Sequence, residues 1–230
     1  MVFYAAYGSN LAEERFLCYV RGGRPCGGKT DLKGCRDKTL PTANAIHELP
    51  FKLFIASRSK SWDGHGVAFV GTRPRVDEAC AVRLWLLTER QLADVVAQEN
   101  GLPPGNVQLS EHMLSRDGHY DLRLAGKYGR IIRRGVVDGR PVLTCTTADT
   151  SLQRRPRAPA SGYLRWMAQG LREMGWRDER IADYLFEVRG VRRLTPTRDS
   201  LSDLISQPPC GREPQVEDEG WEPGHQTHGR

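Results

Sequence analysis

Two short stretches of this sequence hold residue types that could do chemistry. The first is Glu99, seven positions after Leu92 and three after Val96. At helical spacing it continues the apolar stripe of its segment rather than the polar face. A carboxylate there points toward the core or a cleft. It also ends its helix, just before Asn100-Gly101, where unpaired carbonyls carry partial negative charge. Burial and that dipole both disfavour the ionised form and raise the pKa. A carboxylate tuned upward can accept a proton and return it, as general acid/base catalysis requires. The second stretch is the turn Tyr7-Gly8-Ser9-Asn10. Glycine lets the backbone approach a ligand, and the helix start behind it presents free N–H groups to a carboxylate or phosphate. A last-turn glutamate turned to solvent and an ordinary capped turn account for the same residues.

Other chemistries find less support. His47, His65, His112, His119, His225 and His228 show no metal-ligand spacing. A zinc amide hydrolase or deacetylase would need a His/Asp cluster that this spacing does not supply. A Walker loop and G-x-G-x-x-G are absent. Cys18, Cys26, Cys35, Cys80, Cys145 and Cys210 contain no C-x-x-C pair, so free thiols are expected. Cys18 and Cys145 sit in apolar patterns and read as core. The 34 basic residues exceed the 28 acidic ones by six. They are spread along the chain, and the densest run, Gln153-Arg154-Arg155-Pro156-Arg157, has no aromatics interleaved for base stacking. A solvated surface is the expectation, with no nucleic acid and no membrane as partners. No apolar run approaches the ~20 residues of a membrane helix, and a soluble, cytoplasmic protein is the default.

The elements that must position these residues can be read in order. Val2 to Tyr7 reads as a strand, and Gly8 breaks it. Ala12, Phe16, Tyr19 and Val20 follow on one helical face, with Asn10 as N-cap and Glu13 in the first turn. Strands are expected at 51–56, 66–70 and 79–87. Thr88-x-x-Gln91 is a capping box opening a helix that runs to Gln98. Residues 130–147 read as a hairpin turning at Asp138-Gly139, a type I′ signal. Helices are expected at 161–174 and 178–188, the second on the stripe Ile181, Tyr184, Leu185 and Val188. Strands come first and helices are bunched late, which fits α+β. The chain divides into a domain at 1–195 and a tail at 196–230. Ser206 to Arg230 has two arginines against five acids, a charge of −3, leaving +9 on the rest, and is expected to be disordered.

Taken in order, these segments resemble the γ-glutamylcyclotransferase-like family. The resemblance rests on a strand running into Tyr7-Gly8-Ser9-Asn10-Leu11, a following helix with Arg15-Phe16, and Trp62-Asp63-Gly64-His65-Gly66-Val67-Ala68. Gln98-Glu99-Asn100 ends a helix, and Pro159-Ala160-Ser161-Gly162-Tyr163-Leu164 with Gly170 comes late. It covers about residues 2–188. Asn100 stands where glycine is more usual, and residues 102–128 are longer than in the simplest members. The resemblance implies a mixed, partly closed β-barrel flanked by helices. It also implies a reaction: the α-amine of a γ-glutamyl amide attacks its own γ-carbonyl, releasing 5-oxoproline and an amine. Glu99 would be the acid/base, and the amides of Gly8, Ser9 and Asn10 would hold the glutamyl α-carboxylate or, as the lesser alternative, the developing oxyanion. Tyr7 joins them at the substrate, and no metal or cofactor is required. A non-catalytic binding module of the same fold and a simple amide hydrolase are the alternatives.

Overall fold

The computed structural model describes residues 1–124, 126–148 and 155–210. The first strand, β1 (Val2–Ala6), is buried at all five positions, as a strand covered on both faces must be. It lies inside a six-stranded sheet. On one side it pairs antiparallel with β5 (Cys80–Leu87), which in turn pairs with β2 (Asn44–Leu49). On the other side it runs parallel to β8 (Arg140–Thr146), followed by β7 (Arg130–Val137) and β6 (Gly118–Asp121). β7 and β8 are the expected hairpin, with Asp138 and Gly139 both at positive φ.

A separate ribbon of β3 (Leu53–Ala56) and β4 (Val67–Val70) stands at the end of β8. It is joined there by a side chain: Val70 N–H donates to Thr146 Oγ1 at 3.2 Å, and that hydroxyl donates to Val70 O at 2.7 Å. The fold is therefore α+β with a mixed sheet, as expected. Among the described residues no continuous ladder closes it into a barrel.

Helices flank the sheet: α1 (Glu13–Arg21), α2 (Glu89–Glu99), the short α3 (Glu111–Ser115), α4 (Ser161–Glu173), α5 (Asp178–Glu187) and α6 (Arg198–Ser206). The Thr88/Gln91 capping box is formed in both directions. β2, β6 and α3 escape the sequence reading because their residues are mostly exposed or half-exposed, so no clear apolar period marks them.

Three expectations are corrected. The N-cap of α1 is Ala12, not Asn10. Residues Ser9–Leu11 form a separate 3-10 turn, and the Glu173 carboxylate takes the Glu13 N–H at 2.9 Å. The expected disordered tail begins with a helix. α6 is capped by Thr197 and Ser200 and buries Leu201 and Ile205, which share one face; residues 211–230 lie outside the described set, with His225 and His228. Finally, Cys26 and Cys210 are bonded to each other. α6 carries the chain back beside α4, and two thiols far apart in sequence meet.

α4 crosses the 3-10 turn with Gly170 at the crossing. A Cβ there would lie well inside 3.0 Å of the Leu11 and Ala12 backbone. Only a glycine lets the helix seat this deeply against the turn.

Candidate active site

The turn after β1 is held from several sides. Tyr7 Oη donates to Cys145 O at 2.7 Å. Trp85 Nε1 donates to Asn10 O at 3.1 Å, and Arg83 Nη1 donates to Leu11 O at 3.1 Å. Arg83 is itself 5% exposed. It sits 4.0 Å over the Trp85 ring and pairs with Glu13 and Glu173. Ser9 and Asn10 are buried in consequence, which an exposed capping residue would not be. Gly8 is required for a different reason: a Cβ on it would stand 2.6 Å from the Tyr163 hydroxyl.

The end of α2 arrives opposite this turn. Its last residues divide their work. Gln98 accepts from Gly34 N–H at 3.0 Å and donates to Tyr19 O at 3.0 Å, tying the helix to α1 and the segment behind it. Asn100 accepts from Tyr128 N–H at 2.9 Å and donates to Tyr128 O at 3.2 Å. That pair fixes Tyr128, which stacks on Phe69 at 4.9 Å and donates to Ala68 O at 2.9 Å. Asn100, where glycine was the more usual residue, thus anchors the end of the long 102–128 stretch as a wall of the cleft. Glu99 lies between these two anchors and faces inward. Asn10 Nδ2 donates to its Oε1 at 2.8 Å, so the two sequence candidates meet directly.

Around this contact is a cleft of about 570 Å³, within the range of small-molecule sites. Tyr7, Gly8, Ser9, Asn10 and Glu99 all line it. Burial pushes the Glu99 carboxyl above the ordinary carboxylate value. Arg15, Tyr19, Asn10 and Lys127 offset this only in part. The lining holds four cationic residues, Arg15, Arg58, Lys60 and Lys127, against the single carboxylate of Glu99.

Arg15 is the residue that sequence reasoning left without a site role. It lies on α1, 4% exposed, with its guanidinium 5.0 Å from the Tyr19 ring centre and 5.9 Å from that of Trp62. Four buried side-chain polar atoms lack a hydrogen-bond partner among the described residues: Asn10 Oδ1, Arg15 Nε, Arg15 Nη1 and Thr195 Oγ1. Three of the four belong to this cleft. Orphaned buried donors and acceptors cost free energy, so their concentration marks a place shaped for something else to fill. The only advance signal was an arginine four residues before Tyr19 on the α1 stripe.

The turn differs from expectation in one detail. The Ser9 backbone amide lies beside the Tyr163 hydroxyl. No acceptor for the Gly8 or Asn10 N–H appears among the described residues. Of the other groups weighed from sequence, Cys145 is buried and lines the cleft floor, and burial raises its thiol pKa. Cys18 is half-buried and outside the cleft. None of the four described histidines, His47, His65, His112 and His119, lines it. Among the described residues no group of three or more His, Cys, Asp or Glu could hold a metal ion. No described helix is long and apolar enough to cross a membrane. Gln153 and Arg154 of the basic run lie outside the described residues.

A second carboxylate sits on the same helix. Asp94, wholly buried, accepts from Arg36 N–H at 2.9 Å and Gly105 N–H at 2.8 Å, and pairs with the Arg36 guanidinium at 3.0 Å. It anchors the loops on either side of α2.

No family model matches the chain. It is 29% identical over 187 residues to histone deacetylase 5 of Arabidopsis thaliana, which covers 76% of this chain but 28% of that protein. Among solved structures it is similar to a gamma-glutamyl cyclotransferase, with a TM-score of 0.47 and 16% identity over 89% of this chain and 98% of that one. A human protein described as uncharacterized is similar at the same TM-score and identity, over 90% of this chain and 98% of that one.

Proposed function

We propose that the cleft is the active site of a γ-glutamyl cyclotransferase, which converts a γ-glutamyl amide into 5-oxoproline and a free amine. The observation that carries this reading is the set of unfilled groups beside Glu99. Arg15 offers two buried donors, and Asn10 Oδ1 a buried acceptor next to a carboxylate. A ligand that satisfies both has an anionic group and a cationic N–H group close together, which describes the carboxylate and α-ammonium of an amino-acid head. Arg15 reads the carboxylate, joined by the Gly8 and Asn10 amides of the turn. Asn10 Oδ1 and Glu99 receive the ammonium.

The chemistry follows from that pose. Glu99, its pKa raised by burial, takes a proton from the α-ammonium. The freed nitrogen closes a five-membered ring on the γ-carbon. The enzyme's main contribution to this step is to hold one conformer of a flexible chain. The γ-carbon–nitrogen bond then breaks as Glu99 returns the proton to the leaving amine, and the ring nitrogen sheds its second proton by the same carboxylate to leave neutral 5-oxoproline. No step calls for a metal or cofactor, and the partner is a small molecule.

The test is to incubate the protein with a panel of γ-glutamyl amines and γ-glutamyl amino acids and follow products by mass. The reading predicts 5-oxoproline from at least one of them, lost in Glu99→Gln while the fold persists. Free glutamate in place of 5-oxoproline would identify an amide hydrolase. Binding without any product would identify a non-catalytic module.

A further inference from the structure

The cleft is lined by several buried tyrosines, and their hydroxyl protons are spent differently. Tyr7 donates to Cys145 O at 2.7 Å and Tyr128 donates to Ala68 O at 2.9 Å. Tyr19 stands beside the Glu99 carboxylate. Tyr4 accepts weakly from Asn10 Nδ2 at 3.5 Å and lies beside the Cys145 thiol. Tyr163 is arranged the other way round. Its oxygen accepts the Ala68 N–H at 2.9 Å. The Ala68 N–H therefore occupies the acceptor side of the phenol oxygen, with the Ser9 amide beside it. A phenol has a single hydrogen to donate, and here it must point away from the Ala68 amide. Among the described residues nothing accepts it.

The place to which that hydrogen points is constrained. Tyr163 stands in the first turn of α4, 4% exposed, with its ring edge-on to Trp62 at 5.2 Å. Its hydroxyl lies against Gly8, 2.6 Å from where a Cβ would be, and lines the same cleft as Glu99. The Ala68 amide that holds it comes from β4 and the Ser9 amide beside it from the turn, so the oxygen sits between two separate elements. Donors fixed before the reaction begins need no reorganisation when charge develops. Hydrogen bonds accepted by an O–H group also polarise it and make it a better donor.

Resting on the cyclotransferase reading above, we propose that Tyr163 is a catalytic residue whose hydroxyl donates a hydrogen bond to the γ-carbonyl oxygen as that oxygen becomes negative. The α-amine, its proton already on Glu99, uses its lone pair to form the bond to the γ-carbon. The carbonyl π pair moves onto oxygen and is met by the Tyr163 O–H. When the intermediate collapses, that pair re-forms C=O, the bond to the leaving nitrogen breaks, and the nitrogen takes the proton from Glu99. The ring nitrogen, which still carries two hydrogens, then gives its second proton to the freed Glu99 carboxylate, which passes it to the departing amine. Tyr163 keeps its own proton throughout. The division of labour with Arg15 is chemical. A full carboxylate is answered by a guanidinium, whereas a charge that exists only in passing is answered by a neutral donor. Burial pushes the Tyr163 hydroxyl up to about 12, so it stays protonated across the working range.

Two variants test this on the panel used above. Tyr163→Phe should lower kcat by roughly a hundred- to a thousandfold, the usual loss on removing one oxyanion donor, with KM little changed. Phenylalanine also strips the acceptor from the Ala68 amide, so the second variant keeps the oxygen. Replacement of Tyr163 alone by 3,5-difluorotyrosine preserves shape and acceptor while making the phenol more acidic. It should bring a descending alkaline limb into the kcat profile at a pH where the parent is flat. If Tyr163 only propped up the turn, that limb would not move. A parent enzyme releasing no 5-oxoproline overturns the cyclotransferase reading and this one with it. An active parent whose Tyr163→Phe variant keeps its kcat, or shows a raised KM alone, overturns the role of Tyr163 and leaves the other standing. If Tyr163→Phe does not fold, the fluorinated variant decides: no shift in its alkaline limb overturns the proposal.

Discussion

Gly170→Ala opposes two quantities of known sign. In a helix interior alanine is favoured over glycine by about 1 kcal/mol, so a solvent-facing Gly170 would gain stability on substitution. The added methyl here would instead meet the Leu11 and Ala12 backbone inside any distance that real Cβ atoms adopt. Main chain cannot rotate aside as a side chain can, so α4 or the turn must move. Overpacking of this kind costs about 1–3 kcal/mol, occasionally more. With backbone on the receiving side the upper part of that range applies, leaving a net loss of about 1–2 kcal/mol. For a chain of this size that lowers Tm by roughly 2–8 °C. Leu11 and Ala12 follow Asn10 directly, so the same displacement pulls Asn10 from Glu99, whose contact is 2.8 Å. A misplacement of about 1 Å in a positioning group can cost ~10²-fold in rate. Thermal unfolding followed by circular dichroism gives the first quantity, and 5-oxoproline release at 25 °C, where both proteins are folded, gives the second. A variant as stable as the parent or more so would show that the methyl meets no obstacle, since the helix increment would then stand unopposed.

Three further outcomes can be checked. Burial raises the Glu99 pKa in the folded state, so the native protein holds that proton more tightly than the unfolded chain. Glu99 therefore lowers stability above its folded pKa and costs nothing below the unfolded value. Glu99→Gln should accordingly stabilise the fold at neutral pH, by about 1.4 kcal/mol for each tenfold by which folding tightens the hold on that proton. It should make no difference near pH 3, as melts at the two pH values would show. In the parent, turnover should fall as pH drops through that raised pKa. Arg15→Gln should raise KM by about ten- to a hundredfold, the value of a charge-assisted hydrogen bond; it also removes a charge that favours the ionised Glu99, so the acid limb should move to higher pH. Asn100→Ala frees the Tyr128 N–H and C=O and should cost about 1–3 kcal/mol, with hydrogen exchange rising at residues 126–128.

The helix of Glu99 was legible because its signals are local: a capping box in front, an apolar stripe within, and a carboxylate where the stripe predicts an apolar side chain. β1, the 130–147 hairpin and α5 were legible for the same reason. Arg15 was not. Nothing in its neighbours says that its guanidinium is buried between two aromatic rings, because Trp62 arrives from a distant segment. Asn10 resembled a cap and is a buried donor to Glu99, since Arg83 and Trp85 across the sheet hold its turn in place. α6 was hidden by its setting, a nine-residue helix beside a stretch rich in proline and glycine. Such pairings between remote segments decide burial, and single-sequence periodicity does not encode them.

The helix α2 carries two inward acids, and the protein treats them unequally. Asp94 is given two backbone amides and a guanidinium, which tie it into the surrounding loops. Glu99, little more than a turn further on, is only half-buried, receives Asn10 and faces the cleft. The first is part of the frame; the second lines the cleft. A scan for acidic residues would rank them alike. Neutralising Asp94 should loosen the loops at residues 36 and 105 and weaken the whole fold, whereas neutralising Glu99 should leave a sound protein with nothing to do.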